Sequence, residues 1–499
     1  MNKRHPNVIY ILADDMGYGD ISALNERCPF TTPHLDGIAR EGLAFTDAHA
    51  TSAVCTPSRY GILTGRYNWR SRLKSYVVGG YSEPLIEKGR KTVADLFRSQ
   101  GYRTAMIGKW HLGMDFAKTP DFYEKPDFDA CEGVDYSGVI WNSPVSNGFE
   151  YFFGISGSLD MPPYIYIEND HFTELPDRMT RNTGKKFWRE GPTGPSFHHE
   201  HVLDELTGKV CEKITEYRKE PFFIYFPMPA PHTPILPGKE FQGKSGTNKY
   251  GDFVLHCDDA VGRIIDRLKE EGLYENTILI YTSDNGCSPM ADYPELMARG
   301  HNPSYVFRGT KADIYEGGHR IPLLVQWPAA VGGGRTCSQI VCLSDFMATM
   351  AEILGVELPD NMGEDSVSNL PVWMGSSGEV RRDVVHQSID GSLSIRRGRF
   401  KLEMCPGSGG WSDPEPGKED PSLPRFQLYD LAKDIGEREN VIGKYPRIAG
   451  ELRDALKEYV VNGRSTPGSP QPNNGRRVWE TVRWLDEPDG EPLKLYKEK

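Results

Sequence analysis

Asn7-Val-Ile-Tyr-Ile-Leu-Ala13 is followed at once by Asp14-Asp15-Met16-Gly17. A continuous apolar run of this length fits a strand buried on both faces, as in a parallel sheet. Thr104–Ile107, Phe222–Phe226, Thr277–Thr282 and Ile321–Gln326 read as further strands. Helical patterns lie between them at Thr92–Ser99, Tyr250–Lys269 and Leu343–Leu354, the first two with Gly101 and Gly272 just past their ends. Alternation of this kind predicts an α/β fold with a mostly parallel sheet. Ligands in such sheets bind beyond the carboxyl ends of the strands. Four of these ends carry chemically competent groups: Asp14 and Asp15, Lys109 and His111, His232, and Asp284 with Asn285.

The chain has 499 residues, enough for more than one packed unit. Beyond about residue 375 the texture changes, with short strands expected at Ser392–Ile395, Lys401–Met404 and Gln427–Leu431 and a helix at about Ile448–Val461. We therefore expect residues 1–375 to form a catalytic unit and 376–499 a smaller α+β subdomain with an antiparallel sheet. Pro406–Pro424 reads as a surface loop, and a polar tail starts at Gly463. The net charge of −12, without a basic run, argues against nucleic acid as a partner. Nothing reads as a membrane span. Nine scattered cysteines without a Cys-x-x-Cys pair argue against a dense disulfide framework or a zinc–thiolate site.

Five stretches carry the chemistry. In Val54-Cys55-Thr56-Pro57-Ser58-Arg59, followed by Tyr60–Arg66, Pro57 suits the first turn of a helix. Cys55 then lies at the helix N-terminus, where an anion is favoured. On those grounds alone it reads as a small core residue or a reactive thiol. The split acidic set Asp14, Asp15, Asp284 and Asn285 offers oxygen ligands suited to a hard cation. The remaining three are Gly108-Lys109-Trp110-His111-Leu112-Gly113, Pro229-Ala230-Pro231-His232-Thr233-Pro234, and Arg308-Gly309-Thr310-Lys311 with Tyr315–Pro322.

Cys55, Pro57, Arg59, Thr64, Gly65 and Arg66, in that order and spacing, resemble the maturation motif of the type I sulfatases. The other stretches resemble further motifs of the same family, so the likeness runs from residue 7 to about residue 330. It implies an alkaline-phosphatase-like superfold: a large mixed, mostly parallel sheet sandwiched by helices. It implies that a formylglycine-generating enzyme oxidises Cys55 to formylglycine. It also implies calcium, with magnesium as the alternative, on Asp14, Asp15, Asp284, Asn285 and the modified Cys55. Arg59, Lys109 and Lys311 would surround the sulfate with positive charge. Lys311 or His232 would protonate the leaving alcohol, and His111 would deprotonate the second hydroxyl of the hydrated aldehyde to release sulfate.

Ser156–Asp170 and Cys405–Trp411 are similar to the carbohydrate-sulfatase branch. The expected substrate is an O-sulfated hexose or hexosamine of a glycan. Ser158, Asp160 and His301 are the expected substrate contacts, with Tyr164 and Trp411 as further candidates. The alternatives are a phosphonate or phosphate monoester hydrolase of the same superfold, and a glycan-binding pseudo-sulfatase with unmodified Cys55. A glycan substrate favours a periplasmic or secreted protein. Met1–Ala13 does not read as a secretory signal, so the expectation is either a cytoplasmic protein or one whose signal was removed from this sequence.

Overall fold

A computed structural model describes residues 5–123, 128, 131–487 and 495. Strand β1 (Asn7–Asp14) is buried at every position. Its alternating side chains enter two different cores. Ile9, Ile11 and Ala13 face one, and Val8, Tyr10 and Leu12 face the other. That is the period-2 consequence of a strand covered on both sides.

Ten strands form the main sheet: β1, β2 (Leu43–Phe45), β3 (Arg103–Lys109), β4 (Tyr151–Ile155), β5 (Ile167–Glu168), β6 (His171–Phe172), β7 (Phe222–Pro231), β8 (Thr277–Ser283), β9 (Leu323–Gln326) and β10 (Arg335–Cys337). Their order is β10-β2-β9-β8-β1-β7-β3-β4-β5-β6. The run β8-β1-β7-β3-β4 is parallel throughout, with β1 at its heart. β9 enters against β8 in the antiparallel sense, a direction the sequence pattern had not distinguished.

Helices α1 (Pro33–Glu41), α4 (Val202–Tyr217) and α5 (Lys249–Glu270) cover one face through Leu35, Leu206, Val210, Val261 and Ile264. Helices α2 (Cys55–Thr64), α3 (Val93–Ser99) and α6 (Phe346–Leu354) cover the other through Ile62, Leu63, Phe97, Met347 and Met350. The expected helix starts are visible in the caps. Thr92 accepts from Asp95 N ahead of α3, and Asn248 accepts from Tyr250 N and Gly251 N ahead of α5. α2 ends at Gly65, which takes φ 63° and closes the last turn onto Gly61.

The C-terminal part builds a four-stranded antiparallel sheet from β11 (Asp383–Gln387), β12 (Leu393–Arg397), β13 (Phe400–Glu403) and β14 (Gln427–Asp430), in that order. Helix α7 (Pro446–Asn462) packs on it through Leu452 and Leu456. Tyr67 and Trp69, from the segment after α2, share this core. Buried ion pairs lock the same boundary. Arg396 on β12 grips Asp47 with Nη1 at 2.8 Å and Nη2 at 2.7 Å, and Arg320 reaches it at 2.9 Å. Burial alone would raise the Asp47 carboxyl, but Arg320, His49 and Arg396 hold it well below the usual carboxylate range.

Removing one partner from a buried pair leaves the others desolvated and uncompensated. Asp47→Ala leaves the buried Arg320 and Arg396 to share the single carboxylate of Glu316 and is expected to cost about 3–5 kcal/mol. Thermal unfolding should show a lower midpoint, with Asp47→Asn less affected than Asp47→Ala.

Candidate active site

β1 delivers Asp14 and Asp15 together. Successive side chains on a strand point to opposite faces, but Asp15 takes φ 66°, in the left-handed region. The alternation breaks there, and both carboxylates, with Cys55 and His232, come within 4.8 Å of one another. β8, the neighbour of β1, is followed at once by Asp284 and Asn285, both fully buried. The turn that follows is pressed close: a Cβ on Gly286 would lie 1.8 Å from the Gly317 carbonyl oxygen.

α2 supplies the groups opposite. Cys55 and Arg59 are four residues apart on this helix and so share a face. The Cys55 thiol lies 3.6 Å from Asp14 Oδ1. Arg59 donates to Asp284 Oδ2 from Nε at 3.1 Å and from Nη2 at 2.7 Å. Its Nη1 donates to the Lys109 carbonyl at 3.0 Å, tying α2 to the end of β3. Lys109 Nζ reaches Asp14 Oδ2 at 2.6 Å and Ser158 Oγ at 3.2 Å. Lys311 Nζ lies 2.6 Å from Asp15 Oδ1 and 3.4 Å from Cys55 Sγ. Three carboxylates thus face three fixed cations.

The carboxylates are not equivalent. Burial tends to raise Asp14, but Lys109, His232, Arg59 and Lys311 together hold it well below the usual range. Burial, and then the charge of Asp14, push Asp284 up to about 6 despite Arg59. Burial lowers the preference of Lys311 for its charged form, yet the carboxylates of Asp15 and Asp14 outweigh it and keep the ammonium firmly protonated. The Cys55 thiol is pushed up to about 12 by burial, against the pull of Lys109 and Lys311. A neutral thiol is a poor nucleophile.

The histidines are placed differently. His111 takes φ 56° and sets Nε2 2.8 Å from the Val78 carbonyl, which fixes the proton on Nε2. Its Nδ1 is buried without a hydrogen-bond partner among the described residues. Burial, then Lys109 and Arg59, hold this imidazole well below its ordinary range, so it is neutral with a bare acceptor nitrogen. His232 Nδ1 donates to the Thr233 carbonyl at 2.5 Å, and its Nε2 lies 3.6 Å from Asp15 Oδ2.

Beside these groups opens a cavity of about 410 Å³, lined by Asp160, Phe187, His232, Met290, Lys311 and Trp411 among others. Ser158 joins the charged cluster through Lys109, and Asp160 lies on the cavity wall. The structure does not bring His301 to a sugar-facing position. It is 1% exposed, and its Nε2 bonds Asp20 Oδ1 at 2.7 Å. Asp20 in turn accepts from Tyr250 Oη at 2.5 Å, and that hydroxyl also lies 3.0 Å from the Asp15 carbonyl. His301 therefore braces Asp15 from behind. Tyr164 is likewise buried and bonds backbone carbonyls at Asp160 and Arg189. Asp20 and Tyr250 escaped the reading of the sequence because neither lies in a motif or at a strand end.

The donor set fits a hard cation. Asp14, Asp15, Asp284 and Asn285 offer oxygens, and Asn285 Oδ1 is buried with no hydrogen-bond partner among the described residues. Charge crowding at Asp284 is the stress that a bound cation relieves. A buried carboxylate cage, ringed by fixed cations at the carboxyl edge of an α/β sheet, is an arrangement that suits a hydrolase of anionic esters.

The sulfatase family profile matches residues 6–356. The chain is 33% identical to N-acetylgalactosamine-6-O-sulfatase of Bacteroides thetaiotaomicron, covering 91% of this chain and 93% of that one. It is 30% identical to human arylsulfatase A, over 92% of this chain and 87% of that one. A solved Bacteroides thetaiotaomicron structure, from work on the metabolism of multiple glycosaminoglycans, superposes with a TM-score of 0.80 at 32% identity, covering 91% of this chain and 99% of that one. The chain belongs to the sulfatase family, and it is an enzyme that hydrolyses sulfate esters.

Chelator-stripped protein should therefore gain thermal stability when a hard divalent cation is added, by about 2.7 kcal/mol at a hundred times its Kd. Asn285→Ala removes an oxygen donor and is expected to weaken that cation by about 10–100-fold in a calorimetric titration. An unchanged affinity would remove Asn285 from the ligand set.

Proposed function

We propose that this sulfatase removes an O-sulfate from a hexose or hexosamine of a sulfated glycan, with 6-sulfated N-acetylgalactosamine as the leading substrate. The observation that carries the mechanism is the placement of Cys55 at the start of α2, between Asp14 and Lys311, as a thiol too weakly acidic to attack on its own. The similarity to an N-acetylgalactosamine-6-O-sulfatase supports the choice of sugar. Oxidised to formylglycine and hydrated, residue 55 would supply two hydroxyls, one as nucleophile toward sulfur and one for the release of sulfate. Asp14, Asp15, Asp284 and Asn285 would hold calcium, which polarises a sulfate oxygen.

The chain's own groups do the rest. Arg59 orients the cage by bridging Asp284 and the Lys109 backbone. Lys109 and Lys311 place fixed positive charge where the ester oxygens gain negative charge. The Lys311 ammonium and the His232 imidazole line the cavity where the alcohol departs, and either can deliver a proton to that oxygen. His111 is neutral with Nδ1 bare, which suits it to take a proton near residue 55.

Peptide mass spectrometry across Thr51–Arg59, on protein co-expressed with a formylglycine-generating enzyme, is expected to show an aldehyde at position 55. Cys55→Ala should lower kcat/KM on sulfate esters by about a thousandfold or more. Unmodified cysteine despite competent maturation would move the protein to the glycan-binding reading. Faster turnover of an aryl phosphate than of the matched aryl sulfate would favour the phosphate-ester alternative.

A further inference from the structure

We propose that Trp411 and Asp160 form the wall that recognises the sugar ring: Trp411 stacks on one face of an uncharged pyranose, and Asp160 Oδ1 accepts a hydrogen bond from one of its O–H or N–H groups. This rests on the sulfatase reading above. Both residues line the 410 Å³ cavity that also contains His232 and Lys311.

Trp411 leaves 47% of its surface exposed and lines the cavity. It is firmly mounted. Its backbone N–H donates to Asp313 Oδ1 at 2.8 Å, and that of Ser412 donates to the same oxygen at 3.0 Å. The Ser412 hydroxyl donates to the other oxygen of Asp313. Gly410 is pressed against the chain before Asp313, where a Cβ would lie 2.5 Å from the Ala312 carbonyl. A loop from the C-terminal part is thus pinned two residues from Lys311. An aromatic face held in place loses little freedom when a ring stacks on it.

Asp160 is 8% exposed. Its Oδ2 takes Arg189 Nη1 at 2.5 Å, and its backbone carbonyl takes the Tyr164 hydroxyl at 3.1 Å. Oδ1 is buried with no hydrogen bond of good geometry among the described residues, although the Ser158 hydroxyl lies beside the carboxylate. A buried acceptor left in this way gains from a donor brought by a ligand. Phe187 and Met290 complete an apolar surround. Such a wall admits hydroxyl and acetamido groups. It opposes a ring carboxylate, because a uronic acid would set a second negative charge against Asp160.

Steady-state kinetics on matured protein test this, with N-acetylgalactosamine-6-sulfate and a 2-O-sulfated uronic acid as substrates. Trp411→Ala is expected to raise KM for the amino sugar by about tenfold while kcat changes by less than about threefold, and Trp411→Phe should recover most of the loss. Asp160→Asn should raise the same KM and narrow the preference over the uronic acid. Trp411→Phe and Asp160→Asn keep a ring and an isosteric side chain, so they decide the matter if Trp411→Ala fails to fold. Unchanged KM and unchanged preference, in protein that hydrolyses the sugar sulfate, overturn the wall and leave the sulfatase reading standing. Matured wild-type protein inactive on every sulfate ester, aryl sulfates included, overturns both.

Discussion

Asp14, Asp15 and Asp284 are buried within a few ångströms of one another at the edge of the sheet. A chain can fold around three such carboxylates only if it also brings positive charge to them, because unpaired buried charge is far more costly than any single contact is favourable. The compensation comes from three separate places. Arg59 arrives on α2, Lys109 at the end of β3, and Lys311 on the loop beyond β8. Much of the architecture follows from holding these elements in register. The central place of β1, the parallel run beside it, and the docking of α2 across the sheet edge all serve that neutrality.

The same constraint gives the spacing of the cysteine motif a physical meaning. On a helix, positions four apart lie on one face. Residue 55 can therefore face Asp14 while residue 59 faces Asp284. Pro57 has no N–H to lose in the first turn, and Gly65 ends the helix in the left-handed conformation. Read this way, Cys-x-Pro-x-Arg is a helix start that aims two side chains at one cluster. The maturation proposed above would change the chemistry of residue 55 at a position already set between Asp14 and Lys311.

Part of this was legible in the sequence because it is local. The apolar run before Asp14 announced a strand buried on both faces, and the rule about strand ends picked out Asp14, Asp15, Lys109, His232 and Asp284. The motif stretches added Cys55, Arg59 and Lys311. What escaped depends on partners far apart along the chain. His301 looked like a candidate sugar contact, but Asp20, 281 residues earlier, holds it in the interior. The Tyr164 hydroxyl is taken up by the nearby backbone carbonyls of Asp160 and Arg189, and no side-chain pattern announces a bond to backbone. The antiparallel entry of β9 was equally invisible, since a short apolar run carries no sign of its direction. Tyr250 was read only as one residue of a helix, yet its hydroxyl links Asp20 to the backbone of Asp15.

The C-terminal sheet bears on the chemistry although the family profile ends at residue 356. Lys401 on β13 donates to the Ile314 carbonyl at 2.8 Å and to Glu437 Oε1 at 2.7 Å, and it lies 3.3 Å from Glu316. Arg308 donates to the Glu437 carbonyl at 2.7 Å. The segment that carries Lys311 is thus gripped on both sides of the lysine by residues from beyond position 400. Asp313 extends the same grip through the Trp411 loop. Lys311 lies 3.4 Å from the thiol of residue 55, a separation sensitive to shifts of an ångström or less. Displacements of that size at a reacting centre are costly even when their origin is remote. The placement of the ammonium therefore rests on contacts that lie outside the motif that names the family.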